Sequence, residues 1–188
     1  MKIKTAALIK ELQDFIKNHL SVAKKLLELD NNLLNYKADA SVWSVLETIE
    51  HLNLYGNFYI PEIRKRIEES TCRSASSFFK SGLIGNYFAK SMLPKEQLNS
   101  MKTFKNMNPN GSILDKTTLE NFILQQNEML QLLALAQKIN LTKTKTSISI
   151  SSLIKLRLGD TFRVCVYHDE RHIQQAERAV DEAKKYKA

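Results

Sequence analysis

The chain has 188 residues, of which 43% are hydrophobic, and only five Gly and three Pro interrupt it. That length can bury one core, and so few breakers favour long helices over many short strands. Its 28 basic and 20 acidic residues give a net charge of +8, but the basic residues are scattered and no stacking aromatics lie among them, so nucleic acid is not an expected partner.

The first predicted element is a helix over residues 3–29. Its apolar residues recur at steps of three and four, which places them on one face of a helix. Asp30 and the two asparagines that follow it have the chemistry of a turn and end the helix. The stripe consists of Leu8, Leu12, Phe15, Val22 and Leu26.

A second helix is predicted to begin near Ser44. Ser44 and Glu47 have the spacing of a capping box, in which a hydroxyl and a carboxylate bind free backbone N–H groups. Pro61 lies further along the same apolar pattern. Because the spacing resumes in phase after it, we expect the proline to kink the helix without ending it.

Residues 71–113 are the least regular part of the chain. We interpret them as a long crossover with a short helix inside the apolar stretch 78–93, acting either as a lid or as packing. A third helix is predicted from Thr117, which has capping-box spacing to Glu120.

Residues 141–159 alternate too briefly to predict a sheet, and no partner strand is evident. The fourth helix is predicted to begin after Gly159, with Asp160 or Thr161 as its N-cap. Four amphipathic helices in one small chain can bury their apolar stripes only against one another. The sequence therefore predicts an all-α fold, a four-helix bundle, in one domain over residues 1–188.

The placement of the histidines predicts a metal site. His168 and His172 are four residues apart on the fourth helix, so both imidazoles face one side and can reach one ion. If the second and fourth helices are neighbours, His51 completes a three-nitrogen set. Three such ligands with open positions are typical of a catalytic metal, although a histidine pair alone is more often two partly exposed side chains.

Four further residues are candidates for the pocket or for contacts behind the ligands. Cys165 shares the face of His168 and would line the pocket, bind the metal or simply fill space. Glu47 would orient an imidazole if its capping role allows it. Tyr55 and Gln175 would offer hydrogen bonds to a substrate.

Two other polar residues are assigned ordinary roles. His19 lies in the apolar stripe of the first helix and is expected to be a half-buried packing residue. Arg171 is expected to face solvent.

Two short windows resemble the DinB-like family of bacterial helical bundles. The first is Trp43-Ser44-x-x-Glu47-x-x-x-His51-Leu52, and the second is Tyr167-His168-x-x-x-His172-Ile173-x-Gln175. The resemblance implies a four-helix bundle with up-down-down-up topology and a long crossover between helices 2 and 3. It also implies that His51, His168 and His172 bind one divalent ion, with zinc, nickel and iron all compatible with three imidazoles.

The resemblance also implies two functional hypotheses of different classes. Characterised members of the family include metal-dependent transferases and isomerases that use low-molecular-weight thiols such as bacillithiol or mycothiol. The first hypothesis is therefore a thiol-dependent S-transferase acting on a small-molecule substrate, with a metal-dependent hydrolase as a variant. The second is a non-catalytic, stress-associated binding or structural bundle, in which the ion is structural or vestigial.

Cysteine count and hydropathy predict the compartment. Two cysteines are too few to staple a chain of this length, which indicates a reducing environment. No signal-peptide pattern and no apolar run of membrane-spanning length are present. We therefore expect a cytoplasmic bacterial protein with no membrane partner, and the exposed apolar residues of the crossover would allow a homodimer.

Overall fold

The structure is a computed structural model that describes residues 1–94 and 103–187. It is predominantly helical with two small sheets, in agreement with the predicted helical class. The helices are α1 Thr5–Leu27, α2 Asn31–Leu34, α3 Val45–Glu68, α4 Leu83–Met92, α5 Thr117–Ala136 and α6 Leu158–Lys187, with a 3₁₀ helix at Lys105–Met107. The strands are β1 Lys2–Lys4, β2 Phe78–Lys80, β3 Lys145–Ile148 and β4 Ser151–Arg157.

The four long helices bury their apolar faces against one another. Both α1 and α3 pack against α5 and α6, so each long helix has two long neighbours in a ring. The stripe predicted for α1 is buried at four of its five positions, and Phe15 is partly buried. The core forms two clusters, one around Ile63, Phe79 and Phe162 and the other around Leu46, Phe122 and Ile173.

The predicted start of α3 is confirmed. The hydroxyl of Ser44 accepts a hydrogen bond from the Glu47 N–H at 3.1 Å, and the Glu47 carboxylate accepts one from the Ser44 N–H at 2.9 Å. These are the two halves of a capping box. The helix continues through Pro61 to Glu68, so the proline does not end it.

The prediction that residues 141–159 form no sheet is wrong. Strands β3 and β4 pair antiparallel, with Thr146 opposite Leu156. Thr146, Ile148 and Leu156 are buried on one side of this hairpin. Its turn, at Ser149 and Ile150, lacks the Asn-Gly or Asp-Gly chemistry that identifies a hairpin in a sequence.

The predicted capping residues of α5 and α6 are also wrong. Thr117 directs its hydroxyl to the Asp115 carboxylate at 2.5 Å, so it makes no capping box with Glu120. Helix α6 begins at Leu158, directly after β4, which leaves Asp160 inside its first turn. The Asp160 carboxylate is used in tertiary contacts with the crossover.

The crossover is fastened to both the N-terminus and α6. Strand β2 pairs with β1, with Lys2 opposite Lys80. The Asp160 carboxylate accepts hydrogen bonds from the Gly82 N–H at 2.8 Å and from the Ser81 hydroxyl. The short helix predicted within residues 78–93 is present as α4, whereas residues 95–102 of the predicted crossover lie outside the described residues.

No helix within the described ranges combines the length and the apolar character needed to cross a bilayer.

Candidate metal centre

Helices α3 and α6 bring three histidines to one point. His51 lies two turns into α3, and His168 and His172 lie on consecutive turns of α6. One ring nitrogen from each histidine lies within 4.8 Å of the other two. The Nε2 atoms of His51 and His168 are 3.3 Å apart. Because α3 and α6 are neighbours, the three histidines converge as the sequence predicted.

The outer nitrogens of two of these rings are held by acceptors. The Nδ1 of His51 lies 2.6 Å from the Met107 carbonyl oxygen, and the Nδ1 of His172 lies 2.9 Å from Gln175 Oε1. Because a carbonyl oxygen can only accept, each Nδ1 carries the hydrogen and donates it. The Nε2 of both rings is therefore left as an acceptor, and that of His51 faces the Nε2 of His168.

Burial keeps the cluster neutral. Desolvation lowers the pKa of His51 and lowers that of His168 well below its usual value. Desolvation together with the neighbouring His51 lowers the pKa of His172 to about 3. At neutral pH all three rings are uncharged, which is the form that binds a metal ion.

Aromatic rings fix the imidazoles in place. The Trp43 ring centroid lies 4.7 Å from that of His51 and 6.1 Å from that of His172. The Tyr55 ring lies 5.0 Å from His51 and 4.8 Å from His168. Trp43 is the first residue of the motif that contains His51, but the sequence did not predict it as a site residue.

The last part of the crossover braces this arrangement from outside. The Met107 carbonyl accepts from His51, and Asn108 Oδ1 accepts from the Trp43 indole N–H at 3.2 Å. The Met107 contact uses a backbone atom, so no signal in the sequence could have identified it.

A cavity of about 900 Å³ opens onto the three histidines. It follows α3 from His51 to Ile60, a length of about 13 Å at the helical rise. Near the histidines its wall is polar and aromatic, formed by Trp43, Tyr55, Asn108, Arg171 and Gln175. Away from them it is lined by Ile60, Phe88, Met92, Met129, Leu156 and Val164. Helix α4 and the β3–β4 hairpin therefore help to wall the cavity.

The other predicted site residues divide into two groups. Tyr55, Cys165 and Gln175 line the cavity, as does Arg171, which was expected to face solvent. Burial raises the pKa of the Cys165 thiol well above its usual value, so it stays protonated, and its sulfur is not in the converging cluster.

Glu47 is not among the residues that line the cavity. Its carboxylate accepts hydrogen bonds from the Ser44 N–H, the Lys37 ammonium at 3.0 Å and the Gly111 N–H at 2.5 Å. These contacts cap α3 and attach it to the end of the crossover, and they replace the imidazole contact suggested for Glu47.

A buried polar network lies behind the metal cluster. His19, expected to be half-buried, is fully buried, with Nδ1 3.3 Å from Gln126 Oε1 and Nε2 3.0 Å from Glu170 Oε2. Gln126 in turn donates to Asp169 at 2.9 Å, which sets its amide orientation. Both ring nitrogens of His19 are thus held by side-chain oxygens of this network.

The carboxylates of this network respond to their surroundings in opposite ways. Burial raises the pKa of Asp169 to about 6, whereas the hydrogen bond from His19 lowers that of Glu170. Glu170 therefore remains the anionic partner of His19.

A family model described as the DinB superfamily matches residues 18–176. The match covers most of the chain and includes all three clustered histidines, and it confirms the family resemblance of the two motifs. Comparison with curated proteins and with solved structures gave no significant match.

Proposed function

We propose that this chain, which belongs to the DinB superfamily, is a metal-dependent enzyme whose ion is held by His51, His168 and His172. The observation that carries the proposal is the orientation of the rings. Two of them hold their Nδ1 hydrogens in hydrogen bonds to protein oxygens, which leaves Nε2 as the acceptor, the arrangement typical of histidines that bind metals.

The spacing of two of the nitrogens suits a bound ion. A tetrahedral zinc with Zn–N bonds of about 2.05 Å places its nitrogen ligands about 3.3 Å apart. The Nε2 atoms of His51 and His168 have this separation, 3.3 Å. Zinc, nickel and iron all accept three imidazoles, so the proposal specifies a divalent ion without fixing the element.

The open side of the cluster faces the cavity, which supports catalysis. Three protein nitrogens leave at least one coordination position for a substrate atom, whereas structural zinc sites are usually closed by four protein ligands. A bound ion would supply Lewis acidity that stabilises a thiolate or lowers the pKa of water.

Within the enzyme class we propose S-transfer from a low-molecular-weight thiol to a small electrophile. The cavity is at the upper end of the range for small-molecule sites and so has room for two reactants. Its polar wall near Trp43 and Gln175 suits the hydrophilic thiol. The apolar wall near Phe88 and Met129 suits a hydrophobic acceptor.

Three residues of this wall have defined tasks in such a reaction. Tyr55 presents its ring to two of the imidazoles and excludes water from that side. Arg171 would bind a carboxylate of the thiol co-substrate, because it lines the same cavity as Gln175. Cys165, held as a neutral thiol, fills space and does not act as the nucleophile.

The proposal includes the up-down-down-up order of the four long helices. Glu11 contacts Tyr167 and His19 contacts Glu170, which supports parallel α1 and α6. Asn57 with Gln125 and Arg64 with Glu128 support parallel α3 and α5. His51 pairs with His172 and Tyr55 with His168, in opposite orders along the two helices, which supports α3 antiparallel to α6.

Cobalt substitution tests this function. Cobalt(II)-loaded protein is titrated with a small thiol, and the expected result is a new sulfur-to-cobalt charge-transfer absorption that is absent from a His168→Ala variant. Turnover of an electrophile with the same thiol should follow. A cobalt protein whose spectrum ignores thiols but which hydrolyses esters would favour the hydrolase, and one that does neither would leave the ion a structural role.

A further inference from the structure

The net positive charge of this protein is confined to three segments. Residues 1–9, 70–94 and 129–159 contain ten basic and no acidic residues, so the rest of the chain holds 18 basic and 20 acidic ones. The basic residues were predicted to be scattered along the chain, but these ten lie in stretches without any acidic residue. Whether these segments lie together depends on the fold.

The fold joins these segments at one end of the bundle. Lys2 pairs with Lys80 across β1 and β2, and Lys145 pairs with Arg157 across β3 and β4. The two sheets are connected by the Arg157 guanidinium, which donates to the Lys80 carbonyl at 2.6 Å. The Lys80 N–H also donates to the Thr142 hydroxyl at 2.9 Å. Lys2, Lys80, Arg157 and Lys145 thus form a row of cations across this end.

The lysines of this row are exposed and make no ion pair with the described residues. Two carboxylates near the row are already engaged. Glu62 accepts from the Ser147 N–H and pairs with Arg66, and the buried Asp160 pairs with Arg163. The positive field at this end is therefore not neutralised within the described part of the fold.

The same end carries an unusual exposed apolar surface. Helix α4 turns Gly85 and Ala89 inward and Leu83, Ile84 and Tyr87 outward. Leu83 is 95% exposed, and Leu153 on β4 is 92% exposed. Helix α4 packs beside β4, so these side chains project from adjoining elements. Exposed clusters of this kind mark interaction sites.

We propose that this basic and apolar end binds the surface of a bilayer that contains anionic lipids. Lysines adjoining exposed aliphatic side chains are suited to phosphate head groups above acyl chains. Nucleic acid fits less well, because the aliphatic side chains of Leu83 and Leu153 neither bind phosphates nor stack on bases. The proposal concerns contact with a membrane surface, departs from the expectation of no membrane partner, and does not depend on the metal.

Sedimentation with vesicles tests the proposal on the full chain. The probes are vesicles of equal parts phosphatidylglycerol and phosphatidylcholine, vesicles of phosphatidylcholine alone, and a random-sequence DNA duplex. Binding is expected to the anionic vesicles, with loss at high salt. The double variant Lys80→Glu/Lys145→Glu should bind at least about 25-fold more weakly, since each removed cation costs about fivefold.

Two further variants separate charge from insertion. Leu83→Asn and Leu153→Asn should each weaken vesicle binding at least about tenfold while leaving any DNA binding unchanged. The control Lys184→Glu/Lys185→Glu makes the same charge change about 40 Å away along α6 and should bind like wild type. Circular dichroism verifies that each variant is folded.

The proposal is overturned if the anionic vesicles do not bind, or if phosphatidylcholine vesicles bind equally well. It is also overturned if the Lys184 and Lys185 control loses as much affinity as the Lys80 and Lys145 variant, or if the duplex binds and the vesicles do not.

Discussion

Gln175 accepts a hydrogen bond from the outer ring nitrogen of His172, with 2.9 Å between Oε1 and Nδ1. The two residues are three apart on α6, so both lie on one face and the amide selects which nitrogen turns inward. Gln175 therefore acts on the candidate metal through His172.

The first prediction follows from this contact. Gln175→Leu removes the acceptor and leaves the His172 ring without a fixed tautomer, so metal affinity should fall about 10- to 100-fold. Competition with a chromophoric chelator measures the affinity. Gln131→Leu, at an exposed position of α5, makes the same chemical change and should bind metal like wild type. Equal affinities for both variants would rule out this role of Gln175.

The second prediction concerns removal of the ion. The residues of the two hydrophobic clusters are buried without any histidine among them, so chelated protein should keep its helical far-UV circular dichroism. Its Tm should nevertheless fall, because an ion present at about 1,000 times its Kd stabilises the folded state by about 4 kcal/mol. Unfolding of the chelated protein at room temperature would instead indicate a structural ion.

The third prediction concerns the buried pair of His19 and Glu170. Replacing only His19, by Leu, leaves the Glu170 carboxylate without its partner and should cost about 3–5 kcal/mol in the free energy of unfolding. Urea denaturation measures the loss. The double variant His19→Leu/Glu170→Leu should recover part of it, since no isolated charge remains. A double variant less stable than His19→Leu would contradict this explanation.

The fourth prediction separates stability from metal binding at Glu47. Glu47→Ala removes the capping carboxylate and its contact to the Gly111 N–H, so the free energy of unfolding should fall by about 1–3 kcal/mol. Metal content per folded molecule should stay at the wild-type value, because the carboxylate does not reach the histidines. Loss of the ion from folded Glu47→Ala protein would restore the imidazole-orienting role.

Local chemistry explains which features could be predicted from the sequence. The capping box of Ser44 and Glu47 and the four-residue spacing of His168 and His172 both depend on helical geometry alone. Such features need no knowledge of the rest of the fold, and the structure reproduces both.

Features that depend on distant partners were missed. The β3–β4 hairpin has no recognisable turn sequence. Asp160 is a residue type typical of an N-cap, and only the fold shows that its carboxylate binds Ser81 and Gly82 instead. The Met107 carbonyl has no side-chain signature at all. The basic end was missed for the same reason, since its lysines lie far apart in sequence and become neighbours only through strand pairing.

Anomalous X-ray diffraction from crystals of protein isolated without chelator or nickel resin tests the central claim most directly. The expected result is one strong anomalous peak about 2.0–2.3 Å from a ring nitrogen of each of His51, His168 and His172, with a further coordination position facing the cavity. Metal-loaded crystals with no peak at this point, or with the three imidazoles turned away from one another, would contradict the account.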